Sequence, residues 1–466
     1  MKPKTNFTLF LPDSVRKVID LYFTRNRDAY YYIVHCILLK ALQNGNKTNK
    51  FFPVNMAKIE KIIRRRPVPL LKDLKDVNII QNDGSYMPHL KSLHYRVNPK
   101  LLLASDFFVV TPQSYIYNQL NGLYTKKNTN RDLKKSYLKI MYSHFLKLKF
   151  DCMSAIKFTN TAEITNDKRC AYLYSIELLK SKNTRYFKRN KTNTRLDTNL
   201  TNLYKPLRKF IIGSDNLISI DLRNSQPLFL TILILETTKM INYKHQGETL
   251  PLCFTFPLSD FLSCLDNSVI RDFYKFFNFA DFNVFEEFIN FANLTFSGTL
   301  YSYMLNLFGN RYSKDRIKEI MFEIFYSKNI IQRKNKGFIP YARSKRLFAS
   351  AFPNVYKIVH LLKQKSNSDL ANMLSKMEAY VMIDIICEKL VSNDIVPLTI
   401  HDSIIVDKKD AAEAYKIIAE TFLTLFDRVP SFSIETIAGE KLSDTDLHHI
   451  LNFAQNSNAK NANMPI

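Results

Sequence analysis

Two aspartates and one patterned helix carry the chemistry that this sequence could perform. Asp221 closes the apolar run Leu217–Leu222 in NLISIDLRNSQPLFL, and a turn and an apolar helix start follow it. A carboxylate at the end of a buried strand is costly unless positive charge meets it, and a divalent cation is the functional answer. A cap for the following helix is the structural alternative. Asp402 lies in PLTIHDSIIVDKKD, where two apolar runs flank a polar break and predict a hairpin with His401-Asp402-Ser403 at its tip. A plain turn would also accept an aspartate. In SKDRIKEIMFEIFYSK, Lys314, Lys318, Phe322 and Tyr326 are each four residues apart. Each step of four drifts by roughly 40° on an α-helix, so the set forms one slowly winding stripe of two cations and two rings. Cations suit phosphate oxygens and rings suit a ribose and base. Aromatic core beneath solvated lysines is the competing reading. Two carboxylates brought together can hold two Mg²⁺ (or Mn²⁺) ions about 3.5–4 Å apart, one activating a hydroxyl and the other steadying a leaving pyrophosphate. Lys318 would neutralise charge as the phosphorus is attacked.

The elements that must position these groups follow from the patterns around them. Residues 1–50 read as helical. NMAKIEKIIRRR and VPLLKDLKDV read as two helices separated at Pro67, and NIIQNDGSYMPHLKSLHYRV as two short strands around an Asn-Asp-Gly turn. Two helices and a two-stranded wing predict a winged-helix module, with Arg64, Arg65, Arg66, Lys72 and Lys75 near its recognition surface. A plain packing subdomain fits the same pattern. Residues 105–204 read as a basic helical region whose stretch SKNTRYFKRNKTNTR is either mobile or ordered by a ligand. Beyond Leu203 the pattern is mixed α/β to about Glu440, and 453–466 reads as a disordered tail. The Phe/Tyr-rich stretch 252–301 reads as core.

Charge bounds the partners. The 466 residues carry a formal net charge of +25, and between Asn121 and Phe210 there are 21 Lys or Arg against 6 Asp or Glu. That concentration calls for a polyanion, of which nucleic acid is the expected one. No apolar span of membrane length and no signal-peptide pattern is visible, which predicts a cytoplasmic protein with no membrane partner. Six scattered cysteines without a CxxC predict a reducing compartment and no zinc module. The nine glycines and the Lys/Asn/Ile/Phe-rich composition suggest an AT-rich genome, such as a mobile element.

The segments, in this order, resemble the signature motifs of family A (DNA polymerase I-like) polymerases, shared with the single-subunit RNA polymerases of phage and mitochondria. The resemblance covers about residues 195–425. Asp221 matches the first-motif aspartate and His401-Asp402-Ser403 the second carboxylate motif. Lys318, Phe322 and Tyr326 match the nucleotide-binding fingers helix, and Lys314 stands where the family usually has Arg. TRLDTNLTNLYKPLRKF resembles the approach to the first motif, which implies that Arg195 and Arg208 contact nucleic acid and that Arg195 touches the primer end. GTLYSYM and RLFASAFPNVYKIV resemble the segments flanking the fingers helix. Gln226 occupies the place of the Glu that excludes the ribose 2′-hydroxyl in DNA polymerases. Glu378 stands where the family has a Gln, a paired structural Glu being the alternative, and Asp384 is expected on the back of the same helix.

The resemblance implies an α+β right-hand polymerase, with a palm built on a small antiparallel sheet and helical fingers and thumb-like regions. The expected divisions are 1–104 (helical and winged-helix-like), 105–204 (thumb-like), 205–236 (palm), 237–345 (fingers), 346–452 (palm) and 453–466 (tail). The expected function is Mg²⁺-dependent, template-directed DNA polymerisation on a primed DNA template with nucleoside triphosphates. An RNA polymerase or primase-like enzyme on the same scaffold and a non-catalytic DNA-binding replication-initiation protein are the alternatives. No acidic exonuclease pattern is visible in residues 1–195. Arg64, Arg65, Arg66 and His401 complete the expected nucleic-acid contacts.

Overall fold

The strand Leu217–Leu222 alternates between two environments, and the second half of the chain is arranged around it. The computed structural model describes residues 9–43, 47–85, 92–102, 107–110, 115–120, 133–180, 185–245, 267–278, 282–309, 311–329, 341–364 and 366–461. Helices predominate, with small antiparallel sheets among them, an α+β arrangement. Two units divide the chain: Met1–Leu133, Leu146–Lys188 and Thr198–Ser214 form one, and Lys134–Phe145, Arg189–Asp197 and Asp215–Ile466 the other. The expected thumb-like region 105–204 is therefore shared between them.

In the first unit, β1 (Leu9–Pro12) leads into α1 (Asp13–Tyr22) and α2 (Arg27–Gln43), followed by β2 (Phe52–Pro53), α3 (Met56–Ile63), α4 (Pro67–Asp76), β3 (Ile80–Asn82) and β4 (His94–Val97). The strands β2, β4 and β3 form one antiparallel sheet in that order. β1 pairs with β5 (Phe107–Val110), Leu9 opposite Val110. Residues 1–50 are thus not wholly helical: β1 finds its ladder partner about 100 residues away, which local periodicity cannot register. Tyr30, Ile33, Val34, Ile37 and Leu38 of α2 pack with Ile59, Ile62 and Ile63 of α3 and Leu70, Leu71 and Leu74 of α4 in one buried core. Asn55 caps α3, its side chain accepting from Lys58 N–H at 2.9 Å. Further along the chain come α5 (Ser136–Lys147), then α6 (Cys152–Thr161) and α7 (Asn166–Lys180) of this first unit. Part of the stretch 181–195 is ordered: Arg185 is 6% exposed and donates to the Leu179 carbonyl at 3.1 and 3.0 Å.

The second unit takes in residues 189–197, the inner part of a short hairpin of β6 (Phe187–Arg189) and β7 (Leu196–Thr198). β8 (Leu217–Leu222) then runs into α8 (Ser225–His245) through Asn224, which takes the left-handed conformation (φ 55°) that Asn tolerates. Helices α9 (Asn267–Asn278), α10 (Phe282–Phe296), α11 (Leu300–Leu307), α12 (Lys314–Tyr326), α13 (Ala342–Ala351) and α14 (Pro353–Leu362) follow. Next, α15 (Asn367–Ala379) continues through π-helical turns at Tyr380–Cys387 into α16 (Glu388–Ser392). β9 (Leu398–Ile400) and β10 (Ser403–Asp407) form a hairpin, and α17 (Ala411–Phe426), β11 (Phe432–Thr436) and α18 (Asp444–Asn461) complete the unit. The four-stranded antiparallel sheet has the order β11-β8-β10-β9. Ile218, Ile220 and Leu222 are buried on one face of β8, and period-two alternation puts Ser219 and Asp221 on the other. Phe273, Phe277, Phe288, Phe291 and Phe296 are all buried, so the described part of the aromatic stretch is core. The last helix runs through residues 453–461 of the expected disordered tail, and 462–466 lie outside the described residues. Among the described residues, no helix is long and apolar enough to cross a membrane.

Candidate active site

The sheet register brings the two aspartates together. Ser403 stands opposite Asp221 across the β10–β8 ladder, and Ser433 stands opposite it on the β11 side. The Ser403 hydroxyl donates to Asp221 Oδ1. Asp402 is the residue before Ser403, at the head of the same strand. The hairpin tip is two residues, not three: Ile400 pairs with Ser403, leaving His401 and Asp402 as the turn. His401 is exposed with a left-handed φ of 55°. Ser403 belongs to the ladder because its small side chain fits beside the Asp221 carboxylate on the polar face of the sheet.

Glu378 lies beside these carboxylates. It is 1% exposed, and one oxygen, Oε2, accepts from Arg195 Nη2 (2.7 Å), Ser225 Oγ (2.6 Å) and Gln226 Nε2 (2.8 Å). Its other oxygen and Arg195 Nε have no hydrogen-bond partner among the described residues. Burial, followed by the negative charges of Glu378 and Asp221, pushes the Asp402 carboxyl well above the ordinary carboxylate range. Burial works against the Arg195 charge, and Glu378 more than offsets it. Glu378 is a paired buried Glu, as the structural alternative had it, but its partner is Arg195 and it sits at the carboxylate site. Asp384 makes different contacts, with Arg189 (2.7 Å), Tyr137 (2.8 Å) and Lys135 (3.4 Å).

The stripe on α12 is exposed. Ile317, Ile320, Met321, Ile324 and Phe325 bury the opposite face, while Lys314 and Lys318 are exposed, as are Phe322 (57%) and Tyr326 (38%). The aromatics are therefore not core. The two rings lie 5.7 Å apart, and neither lysine forms an ion pair among the described residues. Tyr326 reaches the acidic group: its hydroxyl lies 3.5 Å from Gln226 Oε1, and burial with the charges of Glu378 and Asp402 raises its pKa against the pull of Arg195.

Other expected contacts lie elsewhere. Arg208 is in the first unit, where its Nε donates to the Leu203 carbonyl at 3.3 Å. Arg64, Arg65 and Arg66 are exposed in the loop between α3 and α4 of that unit.

Two further groups belong to segments already noted, Ser225 in NLISIDLRNSQPLFL and Tyr301 in GTLYSYM, without having been assigned a role there. Ser225 donates to Glu378. Tyr301, on α11, has its hydroxyl pKa raised by burial and then by the Asp402 charge, which places it beside the site. A signal for the latter was present in Gly298, which takes a φ of +73° ahead of α11. A Cβ there would meet the Arg223 side chain at 2.9 Å and Ser431 at 3.1 Å. That close approach to the sheet requires glycine and sets where α11 begins.

No group of three or more metal-binding side chains is arranged around one point among the described residues. An ion here would have two protein carboxylates as donors. In comparisons with known proteins, no protein-family model matches the sequence, and no curated protein matches it.

Proposed function

We propose that the chain is a template-directed nucleotidyltransferase of the right-hand polymerase type, extending a 3′-end, with DNA polymerisation as its activity. The observation that carries the reading is the meeting of Asp221 and Asp402, 181 positions apart in sequence, beside a helix that presents lysines and rings. The donor set fits Mg²⁺, which is held by one or two carboxylates and completes its octahedron with water and substrate phosphates. The raised Asp402 carboxyl fits as well, because the Glu378 and Asp221 charges beside it leave negative charge that a cation would balance. Bound there, divalent ions would supply the charge that favours a 3′-alkoxide and a leaving pyrophosphate.

The chain's own residues do the rest. Asp221 is oriented by the Ser403 hydroxyl. Lys314 and Lys318 meet the phosphate oxygens, Lys318 neutralising charge as the phosphorus is attacked. Phe322 and Tyr326 pack against base and sugar, with Gln226 beside the sugar. Arg195, anchored on Glu378, touches the primer end. The net positive charge of residues 121–210 offsets the nucleic-acid backbone.

Primed-template extension in Mg²⁺, with DNA and RNA templates and with dNTP and NTP, tests the reading. Lengthening of a DNA primer with dNTP is the expected result. A protein that shifts the DNA and never lengthens the primer would be a binder, and the reading would fall. One feature favours the RNA-polymerising alternative: the sugar-side residue is an uncharged amide, Gln226, whose NH₂ is held by Glu378. Preferential NTP incorporation would establish that alternative.

A further inference from the structure

The chain order of the first unit from α2 to β4 is helix, strand, helix, helix, strand, strand, and its sheet order is β2-β4-β3. The short strand β2 precedes the helix pair and edges the sheet, so the two-stranded wing is a three-stranded one. Between α3 and α4 lie three residues, Arg64-Arg65-Arg66, with Arg64 in the left-handed conformation (φ 51°). A tight turn of this length between two helices is the geometry of a helix-turn-helix.

The two faces of the pair differ sharply. Ile59, Ile62, Ile63, Leu70, Leu71 and Leu74 are buried. On the outer side of the turn and of α4, Arg65, Arg66, Val68, Pro69, Lys72 and Lys75 are exposed. Residues 56–76 hold seven Lys or Arg against three Asp or Glu. Of those acids, Asp73 is occupied by the Tyr30 hydroxyl at 2.7 Å. Arg65, Arg66, Lys72 and Lys75 form no ion pair among the described residues. Val68, near the start of α4, is 67% exposed.

We infer that this surface is a double-stranded-DNA-binding site in which α4 enters the major groove, independent of the proposed nucleotidyl transfer. Unpaired cations on one helix face suit phosphates on both sides of a groove. The first residues of the second helix are the ones that reach base edges in this geometry, and an exposed valine there suits a thymine methyl. Duplex is the occupant rather than single strands, because the outer face of α4 carries no aromatic ring on which an unpaired base could stack.

Fluorescence anisotropy of the full chain on a blunt-ended duplex, as a function of salt, tests this. The double variant Lys72→Glu/Lys75→Glu is expected to bind about 10-fold or more weakly, with a log K against log salt slope shallower by about 2. Lys72→Arg/Lys75→Arg is expected to bind as the parent does, and thermal unfolding of both is expected to match it. The control Lys409→Glu/Lys441→Glu, an equal charge change at exposed positions of the second unit, is expected to leave binding within about threefold. Undiminished duplex binding by the α4 variant, or equal loss in the control, would overturn the assignment.

Discussion

Ser403 stands directly opposite Asp221 in the β8–β10 ladder, and its hydroxyl donates to the Asp221 carboxylate. That register leaves no freedom in where Asp402 goes, since the residue before Ser403 must lie at the head of the neighbouring strand. Sliding the pairing by one residue would turn Asp221 into the apolar face occupied by Ile220 and Leu222. The apolar and polar alternation along β8 therefore sets which face Asp221 occupies as well as packing the core.

The Asp402 carboxyl is held above its ordinary range, so its charge opposes folding. The folded state keeps the proton longer than the unfolded one, and stability falls as pH rises from the unfolded value of about 3.9 through the raised folded value. Asp402→Asn should raise Tm in EDTA at neutral pH, by about 2–4 °C for each kcal/mol relieved. Mg²⁺ should raise the Tm of the parent and not that of the variant. Thermal scans with and without the ion check both.

Glu378 holds three donors on one buried oxygen. Glu378→Ala would leave Arg195 without its counter-charge and should destabilise by about 3 kcal/mol or more. Glu378→Gln keeps an acceptor and should cost less. Denaturant titration of the two variants gives the ordering.

On α12, Lys318 is exposed and aligned with the two rings, so its loss should affect nucleotide use and not folding. Lys318→Ala should lower kcat/KM for the nucleotide by about 10²-fold with unchanged Tm. Tyr326→Phe keeps the ring and removes the hydroxyl facing Gln226, and should alter the dNTP-to-NTP ratio more than total extension. Steady-state kinetics with both sugars separates these effects.

In the first unit, the buried His35 accepts from the Phe10 N–H at 3.0 Å, and burial lowers its pKa to about 4. The unfolded chain takes a proton near pH 6.5 that the folded one refuses. Stability is full above pH 6.5 and is lost as pH falls to about 4, by about 3 kcal/mol in total. Denaturation of the parent and of His35→Gln across that window checks it, since the variant should lose most of the pH dependence.

Much of the site was legible in local pattern. The apolar runs around Asp221 and Asp402 marked both strands, and the four-residue spacing on α12 marked a face that is exposed from Lys314 to Tyr326. The strands Ile80–Asn82 and His94–Val97 were visible in the apolar runs that contain them. Contacts that depend on distant chain were not. Nothing local ties Arg195 to Glu378, 183 residues on, or brings Tyr301 beside Asp402. A two-residue strand such as Phe52–Pro53 has no period to read, and β1 depends on a partner beyond residue 100. The hairpin tip was read one residue too long because Ser403 is polar, although it lies in the ladder beside a carboxylate.

The central claim is that Asp221 and Asp402 together hold divalent ions. Mn²⁺ binding to the full chain, followed by electron paramagnetic resonance in the presence of primed DNA and a non-hydrolysable nucleotide, addresses it directly. Two ions per chain are expected for the parent, with loss of that binding in both Asp221→Ala and Asp402→Ala. Unchanged Mn²⁺ stoichiometry and affinity in the two variants would contradict the account.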